Sequence, residues 1–295
     1  MRVKSVLENY LFILPAIIIF AIFYIIPFIW VFQLSFFDWD GILPTKTFVG
    51  LSNFREIAKD KDWWQAMRNA GYITLLALTF QNALAFLLAL ACDREIRLRN
   101  FYRVIFFIPP VLSEVVVGMV WRFLISDIDG ANLINRALIS LGLGNLARQW
   151  LSDPKFALTT VALIHCWKGF GWGFLIFLAG LQTIPRQLYE AARVDGADAW
   201  ESFKKITIPL MTPVIVLVAI LTVLGTMQVF VLIIALVGGE FAGHTSVPVL
   251  RILATMRGSS RFGYACSQGI TFGLILVVIS FIQYRFSKRA RQIQG

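Results

Sequence analysis

Apolar residues in this sequence are gathered into long runs instead of following the period of an amphipathic strand or helix. Six runs approach the roughly 20 residues that a helix needs to cross the hydrocarbon core of a membrane. Four contain no charged residue, and the others contain one each, Glu114 in the third and Lys168 in the fourth. The pattern predicts an all-α polytopic membrane protein with six transmembrane helices. The predicted spans are 11–34, 69–92, 104–121, 156–184, 208–237 and 262–284.

The composition excludes the main classes of soluble protein. Of the 295 residues 58% are hydrophobic and only 15% are charged, too few to cover a water-soluble domain. Disorder, a coiled coil and a disulfide-stapled secreted domain are excluded on the same grounds. The odd number of cysteines, at positions 92, 166 and 266 in or beside apolar runs, indicates buried thiols. The first run is too long for a signal-peptide core and predicts a permanent helix.

Basic residues are unevenly distributed between alternate connecting segments. Segments 1–10, 93–103, 185–205 and 285–295 carry 14 Lys and Arg in 53 positions, whereas the other three loops carry 12 in 92. Basic residues are retained on the cytoplasmic side, so both termini are predicted to lie in the cytoplasm. The sequence thus predicts a cytoplasmic N-terminus (1–10), a transmembrane domain (11–284) and a basic cytoplasmic tail (285–295). Prolines within the spans, including Pro109, Pro110 and Pro213, predict kinks.

The cytoplasmic loop between the fourth and fifth spans has the signals of two short helices. Pro185 suits a first helical position, and Gly196 suits the left-handed residue past a helix end. Asp198, with a glutamate three residues later, has the spacing of a capping box. A second helix is therefore predicted to begin at Ala199 and to end before Pro209, at an angle to the first and hinged at the glycine.

Short helices of this length need packing partners, because a helix of about ten residues is marginal in water. Leu188, Trp200 and Phe203 offer apolar contacts, and Glu190 and Asp195 offer charged ones. Two interpretations follow from these residues. The loop is either an amphipathic connector on lipid headgroups or a docking element for a cytosolic partner.

A spaced motif in this loop resembles the EAA loop of permease subunits in binding-protein-dependent ABC importers. Glu190-Ala191-Ala192 is followed after three residues by Gly196, and after nine more by 206–209, Ile-Thr-Ile-Pro. Ile208 replaces the leucine that usually precedes the last proline. The resemblance, which is to the carbohydrate-uptake branch with its type I importer fold, continues through segments 48–54, 106–109, 150–154, 180–185 and 262–265.

The resemblance implies a subunit of the bacterial or archaeal cytoplasmic membrane that works by alternating access. Its implied partners are a second, similar permease, two ATP-binding subunits and an extracytoplasmic solute-binding protein. Such a subunit would supply half of the translocation pathway for a carbohydrate or related solute. The residues implied to couple it to the ATPases are Glu190, Ala191, Ala192, Asp195, Gly196, Ile206 and Pro209.

Chemistry belonging to the chain itself is not indicated. The sequence has no Gly-x-x-x-x-Gly-Lys-Ser/Thr phosphate loop, so ATP and Mg²⁺ are expected on the partner ATPase. His165 has no carboxylate within one helical turn, and His244 lies among glycines in an outer loop. Neither fits a catalytic set, and no cluster has the spacing of metal ligands. We therefore expect no enzyme activity, cofactor or nucleic-acid binding, since retention of basic residues inside already explains the net charge of +10.

Polar residues inside the spans are candidates for the solute pathway, because they are costly unless they face a cavity or one another. Glu114 and Lys168 predict an ion pair between the third and fourth spans, and the alternative is a position of either residue at a membrane edge. The glycines and aromatics around Lys168 suit either a sugar-facing surface or close helix packing. The predicted pathway residues are Glu114, Lys168, Gly169, Trp172, Thr222, Thr226 and Gln228.

An ion-gradient-driven carrier or channel is the alternative function. It would need its own coupling-ion site, usually several intramembrane carboxylates or broken helices. Only Glu114 is available in the predicted spans.

Overall fold

The computed structural model describes residues 12–93, 97–126, 132–238 and 243–292. Within these ranges the chain forms twelve helices and one two-stranded antiparallel hairpin, β1 (Phe37–Asp38) with β2 (Thr47–Phe48). The predicted N-terminal segment 1–10 lies outside the described residues. The helices are α1 (Phe12–Leu34), α2 (Ser52–Lys59), α3 (Lys61–Asp93), α4 (Arg99–Val111), α5 (Glu114–Ile125), α6 (Leu133–Ser140), α7 (Ala157–Leu181), α8 (Arg186–Val194), α9 (Ala199–Met227), α10 (Val231–Val237), α11 (Pro248–Gly258) and α12 (Phe262–Gln292).

The all-α polytopic fold is confirmed. Five helices of the described chain, α1, α3, α7, α9 and α12, are each long and apolar enough to cross a membrane. The pair α4 and α5 supplies a sixth crossing if the two helices together form one span. Helix α12 continues to Gln292, so most of the predicted basic tail is helical.

The prediction of one kinked helix for the third span is wrong, because α4 and α5 meet at an angle of 94°. Pro109 and Pro110 end α4, and Leu112 and Ser113 have extended backbone before α5 begins. Two successive prolines remove two amide donors from the last turn. The helix therefore breaks where a single proline would have kinked it.

The predicted fifth span, 208–237, is also wrong in its bounds. Helix α9 begins at Ala199 and passes through Pro209 to Met227, so no separate short helix ends before that proline. A π-helical turn, Phe203–Thr207, ends two residues before Pro209 and accommodates the missing amide and the bulk of the ring. After Met227 the chain breaks and α10 begins. Gly118 of α5 lies so close to α10 that a β-carbon there would overlap a side chain of α10.

The chain divides into two compact units. The first contains residues 1–61 and 252–275. In this unit the buried Asn53 side chain donates hydrogen bonds of 3.0 Å to the carbonyls of Ser35 and Phe37 and so holds the hairpin. The Arg261 guanidinium binds Glu56 through two bonds of 2.7 and 2.8 Å, which lowers the pKa of that carboxyl. None of the apolar window of α1 is buried by the described chain.

The second unit contains residues 62–251 and 276–295. Its core lies where α3, α7 and α9 pack together, with Ala85, Phe174, Met211 and Val218 among the buried side chains. Small residues permit the close approach, since a β-carbon added at Gly173 would touch that of Ala85 at 3.3 Å. The loop between α7 and α9 packs on this core through Tyr189 and Ile206.

Candidate functional site

Gly196 ends α8 in the way the sequence predicts. Its φ angle is +84°, a left-handed conformation that favours glycine. Its amide donates to the carbonyl of Arg193 at 3.1 Å, and the amide of Ala197 donates to Ala192 at 2.9 Å. These two bonds form a Schellman motif. A β-carbon at Gly196 would meet no atom within 4 Å, so the backbone conformation, and not space, requires the glycine.

Asp198 caps the next helix. Its carboxylate accepts a hydrogen bond of 2.7 Å from the amide of Glu201, and the helix begins at Ala199 as predicted. The Glu201 carboxylate contacts Lys205, one turn later, at 2.9 Å. The structure therefore shows the forward half of the predicted capping box and an i,i+4 ion pair in place of the reciprocal bond.

Two anchors hold the loop against the membrane-spanning helices. The Tyr189 hydroxyl of α8 shares a hydrogen bond of 2.9 Å with the hydroxyl of Thr207, which is buried. Tyr189 and Ile206 also pack on the buried core of α3, α7 and α9. Phe203 lies between the rings of Phe86 and Trp200, with centroid distances of 6.3 and 5.6 Å. Neither Tyr189 nor Thr207 was predicted from the sequence as an anchor, although the helical period places each on the face of its helix that points to the core.

The opposite face of the loop is open. Val194 is 88% exposed and Trp200 is 67% exposed, both unusually high for large apolar side chains. The predicted coupling residues divide between the two faces. Glu190, Ala191, Asp195 and Gly196 are exposed, Ala192 is half-buried, and Ile206 and Pro209 are half-buried, with Ile206 on the side of the core.

A cavity of about 990 Å³ lies between this loop and the ends of α3 and α7. Its lining includes both signs of charge, with Arg186, Glu190 and Arg193 from α8 and Asp93 from the end of α3. Glu190 therefore lines the cavity while part of its side chain is exposed. Charged groups of both signs and apolar groups therefore lie both on the exposed surface of the loop and in the cavity between the loop and the ends of α3 and α7.

Glu114 and Lys168 are brought together within the predicted membrane region. The Lys168 ammonium lies 4.0 Å from the Glu114 carboxylate, with side-chain exposures of 13% and 39%. The break after Pro110 places Glu114 in the first turn of α5, where the helix dipole favours a negative charge. The structure therefore supports the predicted pairing between the third and fourth spans.

The glycines next to Lys168 serve helix packing. A β-carbon at Gly169 would lie 2.8 Å from the Gln81 carboxamide oxygen of α3. Gly171 packs directly on the Phe106 carbonyl and the Pro110 ring of α4. Trp172, in contrast, is 56% exposed and meets Phe107 edge to face at a centroid distance of 5.4 Å. Of the aromatic residues next to Lys168, Trp172 is the most exposed, and Trp167 follows at 38%.

Thr222 and Thr226 form ties between helices. The Thr226 hydroxyl lies 2.8 Å from that of Thr74, and the Thr222 hydroxyl donates to Asn82 at 3.1 Å. Both threonines are buried, so they stabilise the contact of α9 with α3. Gln228 is exposed at the break between α9 and α10. The seven predicted pathway residues therefore do not form one surface in this structure.

The other candidate groups are structural. Cys92 and Cys166 are buried, Cys266 is partly buried, and all three are free thiols, as predicted. His165 is partly buried in α7, and His244 is exposed in a short 3₁₀ turn, where its carbonyl accepts a bond of 2.8 Å from Asn69. Among the described residues no group of three or more His, Cys, Asp or Glu could hold a metal ion.

The five to six apolar helices of the described chain, with the structured loop between α7 and α9, place it among the polytopic α-helical membrane proteins. Residues 81–292 match the family model described as the binding-protein-dependent transport system inner membrane component. The chain therefore belongs to this family. It is a transporter subunit and not an enzyme, since the ATPase of such systems is a separate component.

Relatives match along nearly the whole chain. The probable ABC transporter permease protein YurN of Bacillus subtilis is 31% identical over 290 residues, covering 96% of this chain and 97% of the relative. The trehalose/maltose permease protein MalF of Thermococcus litoralis is 31% identical and covers 91% and 90%. The lactose permease protein LacF of Rhizobium radiobacter is 28% identical and covers 97% and 95%.

The fold agrees with solved importers. A chain of a bacterial ABC transporter that imports the acidic polysaccharide alginate superposes with a TM-score of 0.83 at 26% identity, covering 98% of this chain and 97% of that one. A chain of the alginate transporter in complex with its pentasaccharide-bound periplasmic protein gives 0.81 at 25% identity, with coverage of 98% and 96%.

Proposed function

We infer that this chain forms half of the pathway of an ATP-driven importer for a carbohydrate or a related solute. The transport substrates named for its relatives, lactose and trehalose/maltose, support that class of solute. Membership in the binding-protein-dependent family argues against the alternative function of an ion-gradient-driven carrier. For the coupling-ion site of such a carrier, the described residues offer one intramembrane carboxylate, Glu114.

The two-faced loop is the observation that carries the proposal. Its inner face is fixed to the bundle by the Tyr189–Thr207 bond and by Ile206, and its outer face exposes Val194 and Trp200. Glu190 is exposed and also lines the cavity behind the loop. A force applied to the outer face is therefore transmitted directly to α7 and α9. ATP-driven closure of the partner subunits would move the loop and switch the bundle between inward-open and outward-open states.

The proposed assembly contains a second permease, two ATP-binding subunits and an extracytoplasmic solute-binding protein. ATP and Mg²⁺ bind to the ATP-binding subunits. The chain lies in the cytoplasmic membrane with both termini and the loop on the cytoplasmic side, as the distribution of basic residues indicates. The exposed apolar length of α1 is covered by lipid or by the second permease.

The proposed solute pathway is lined directly by fewer residues than the sequence alone suggests. Glu114, Lys168 and Trp172 retain polar or aromatic surface that a sugar could contact, and Gln228 is exposed beside a helix break. Gly169, Thr222 and Thr226 contribute indirectly, because their side of the helices is occupied by packing against α3.

The test is the double variant Glu190→Lys with Gly196→Pro in the assembled importer. Proline cannot adopt a φ of +84°, so the substitution breaks the end of α8, and the lysine reverses a charge on the proposed contact. We expect loss of solute-stimulated ATP hydrolysis and of uptake, while the chain still inserts. The matched control is Gln187→Lys, which adds a lysine at an exposed position of the same helix. Normal uptake by the double variant would refute the coupling role.

A further inference from the structure

The connection between α5 and α7 carries an unusual apolar surface. The outer segment, defined as residues 132–150, consists of α6, the 3₁₀ turn Gly144–Leu146 and the residues up to Trp150. Leu141 is 73% exposed and Ile139 is 60% exposed. Three more leucines of the segment are also exposed, at positions 133, 143 and 146. A loop that lies in water would not be expected to display five large aliphatic side chains in so short a stretch.

This exposure belongs to a folded segment. The Asn132 side chain caps α6 by accepting a bond of 3.0 Å from the amide of Asn135. The Asn135 side chain in turn donates to the carbonyl of Arg148 at 2.8 Å, and accepts from the Arg148 amide at 3.2 Å and from the Trp150 indole at 2.8 Å. One asparagine thus closes the segment into a compact loop. The aliphatic side chains remain outside because the fold turns them outward.

The ends of the outer segment fix its level relative to the membrane. It begins after α5 and ends before α7, and α6 packs against α5. The 25 residues of α7 rise about 37 Å, so the segment lies at the membrane surface opposite the coupling loop. The last turns of α5 expose Met119, Val120 and Phe123, so the apolar surface of the span continues toward the segment.

The charges of the outer segment point to one kind of occupant. Residues 132–150 contain two arginines, Arg136 and Arg148, and no acidic residue, and the nearest acids in sequence are Asp127, Asp129 and Asp153. The Arg148 guanidinium lies 4.3 Å from the centre of the Phe156 ring, an arrangement that keeps a cation beside apolar surface. A positive, aliphatic face that continues from a span matches the boundary between anionic headgroups and acyl chains. We propose that the outer segment is a membrane-interfacial anchor whose leucine and isoleucine side chains are immersed in lipid.

Spin labels on the assembled importer in lipid vesicles test this placement. The three native cysteines are replaced, and single cysteines at positions 139 and 141 carry a nitroxide. Position 149, an exposed glutamine of the same segment, is the matched control. Collision of the label with oxygen reports lipid, and collision with a water-soluble nickel chelate reports water. We expect a positive depth parameter at 139 and 141 and a negative one at 149.

The result distinguishes lipid from the other occupants. Access of the nickel chelate to 139 and 141 would show that the segment lies in water and would overturn the proposal. Exclusion of both reagents would show that protein covers the segment, and would overturn it equally. Retention of the ATPase subunits on each labelled importer establishes that the assembly is intact. A further comparison of vesicles of phosphatidylcholine with vesicles containing phosphatidylglycerol is expected to deepen both labels in the anionic lipid. The proposal does not depend on the coupling role.

Discussion

The two ends of α7 lead into short helical segments that both expose large apolar side chains, yet the segments differ in charge and in anchoring. The loop after α7 mixes four acidic and four basic residues between 186 and 205, whereas the outer segment before α7 has two arginines and no acid. The loop is bonded to the transmembrane core through Tyr189 and Thr207. The outer segment is bonded mainly to itself through Asn135.

This difference separates a transmitting element from an anchoring one. A segment that must pass movement to the bundle needs a rigid connection inward, and a protein partner can be recognised by charges of both signs. A segment that rests on lipid needs only a stable shape, apolar side chains and cations for the headgroups. Exposed leucines alone do not distinguish these roles. The charge pattern and the direction of the hydrogen bonds do.

The largest effect is expected when the inward connection of the loop is removed. Tyr189→Ala deletes a partly buried ring and its bond to Thr207, and we expect a local cost of about 2–3 kcal/mol. Uptake should be lost because the loop then moves without the bundle. Solute-stimulated ATP hydrolysis in proteoliposomes measures the loss. Tyr189→Phe, which keeps the ring, should cost only about 1 kcal/mol and keep most of the activity. Equal loss in both variants would contradict a role for ring packing.

A charge placed at equivalent apolar positions should separate the two segments. Leu188→Asp on the loop and Leu141→Asp on the outer segment each remove an exposed leucine, whose burial by a partner or by lipid is worth roughly 2 kcal/mol. We expect Leu188→Asp to weaken retention of the ATPase subunits and leave the depth of a label at position 139 unchanged. Leu141→Asp should leave retention of the ATPase subunits unchanged and make the label at position 139 shallower. Co-purification of the ATPase subunits and the depth of the label are measured for both variants. An identical response of the two variants would contradict different roles for the loop and the outer segment.

Local signals with a backbone requirement could be predicted from the sequence. The left-handed Gly196 and the cap at Asp198 appear where their spacing places them, because each depends on residues within one turn. Long apolar runs predicted a polytopic helical fold because length and hydrophobicity alone decide whether a helix can cross a membrane. The pairing of Glu114 with Lys168 was also predictable, since two lone opposite charges in adjacent spans have few other partners.

Features that depend on tertiary packing were not predictable. The break after Pro110 and the break after Met227 change one apolar run into two helices, and hydrophobicity is the same on both sides of each break. The assignment of Thr222 and Thr226 to a pathway failed to anticipate their partners on α3, which are more than a hundred residues away in sequence. Tyr189 was overlooked because a lone tyrosine shows no partner until the helices are placed.

The smallest effect is expected for the ion pair between Arg261 and Glu56 in the first compact unit. This pair joins two segments of its unit, as the Tyr189 hydroxyl joins the loop to the transmembrane core. Arg261 lowers the pKa of Glu56 from its usual 4.5, so the stabilisation is present above that pH and is lost as the pH falls through the lower value of the folded state. Both side chains are more than a third exposed, which limits the contribution to about 1 kcal/mol or less. Glu56→Gln should therefore speed hydrogen exchange of α2 at pH 7 by up to about fivefold, after correction for intrinsic rates, and this effect should disappear at a pH low enough to protonate the Glu56 carboxyl in the folded state. Asp62→Asn, which neutralises an exposed acid that contacts Arg251, is the control and should leave α2 unchanged. An equal effect of Glu56→Gln at both pH values would show that the contact stabilises the unit by shape and hydrogen bonding instead of charge.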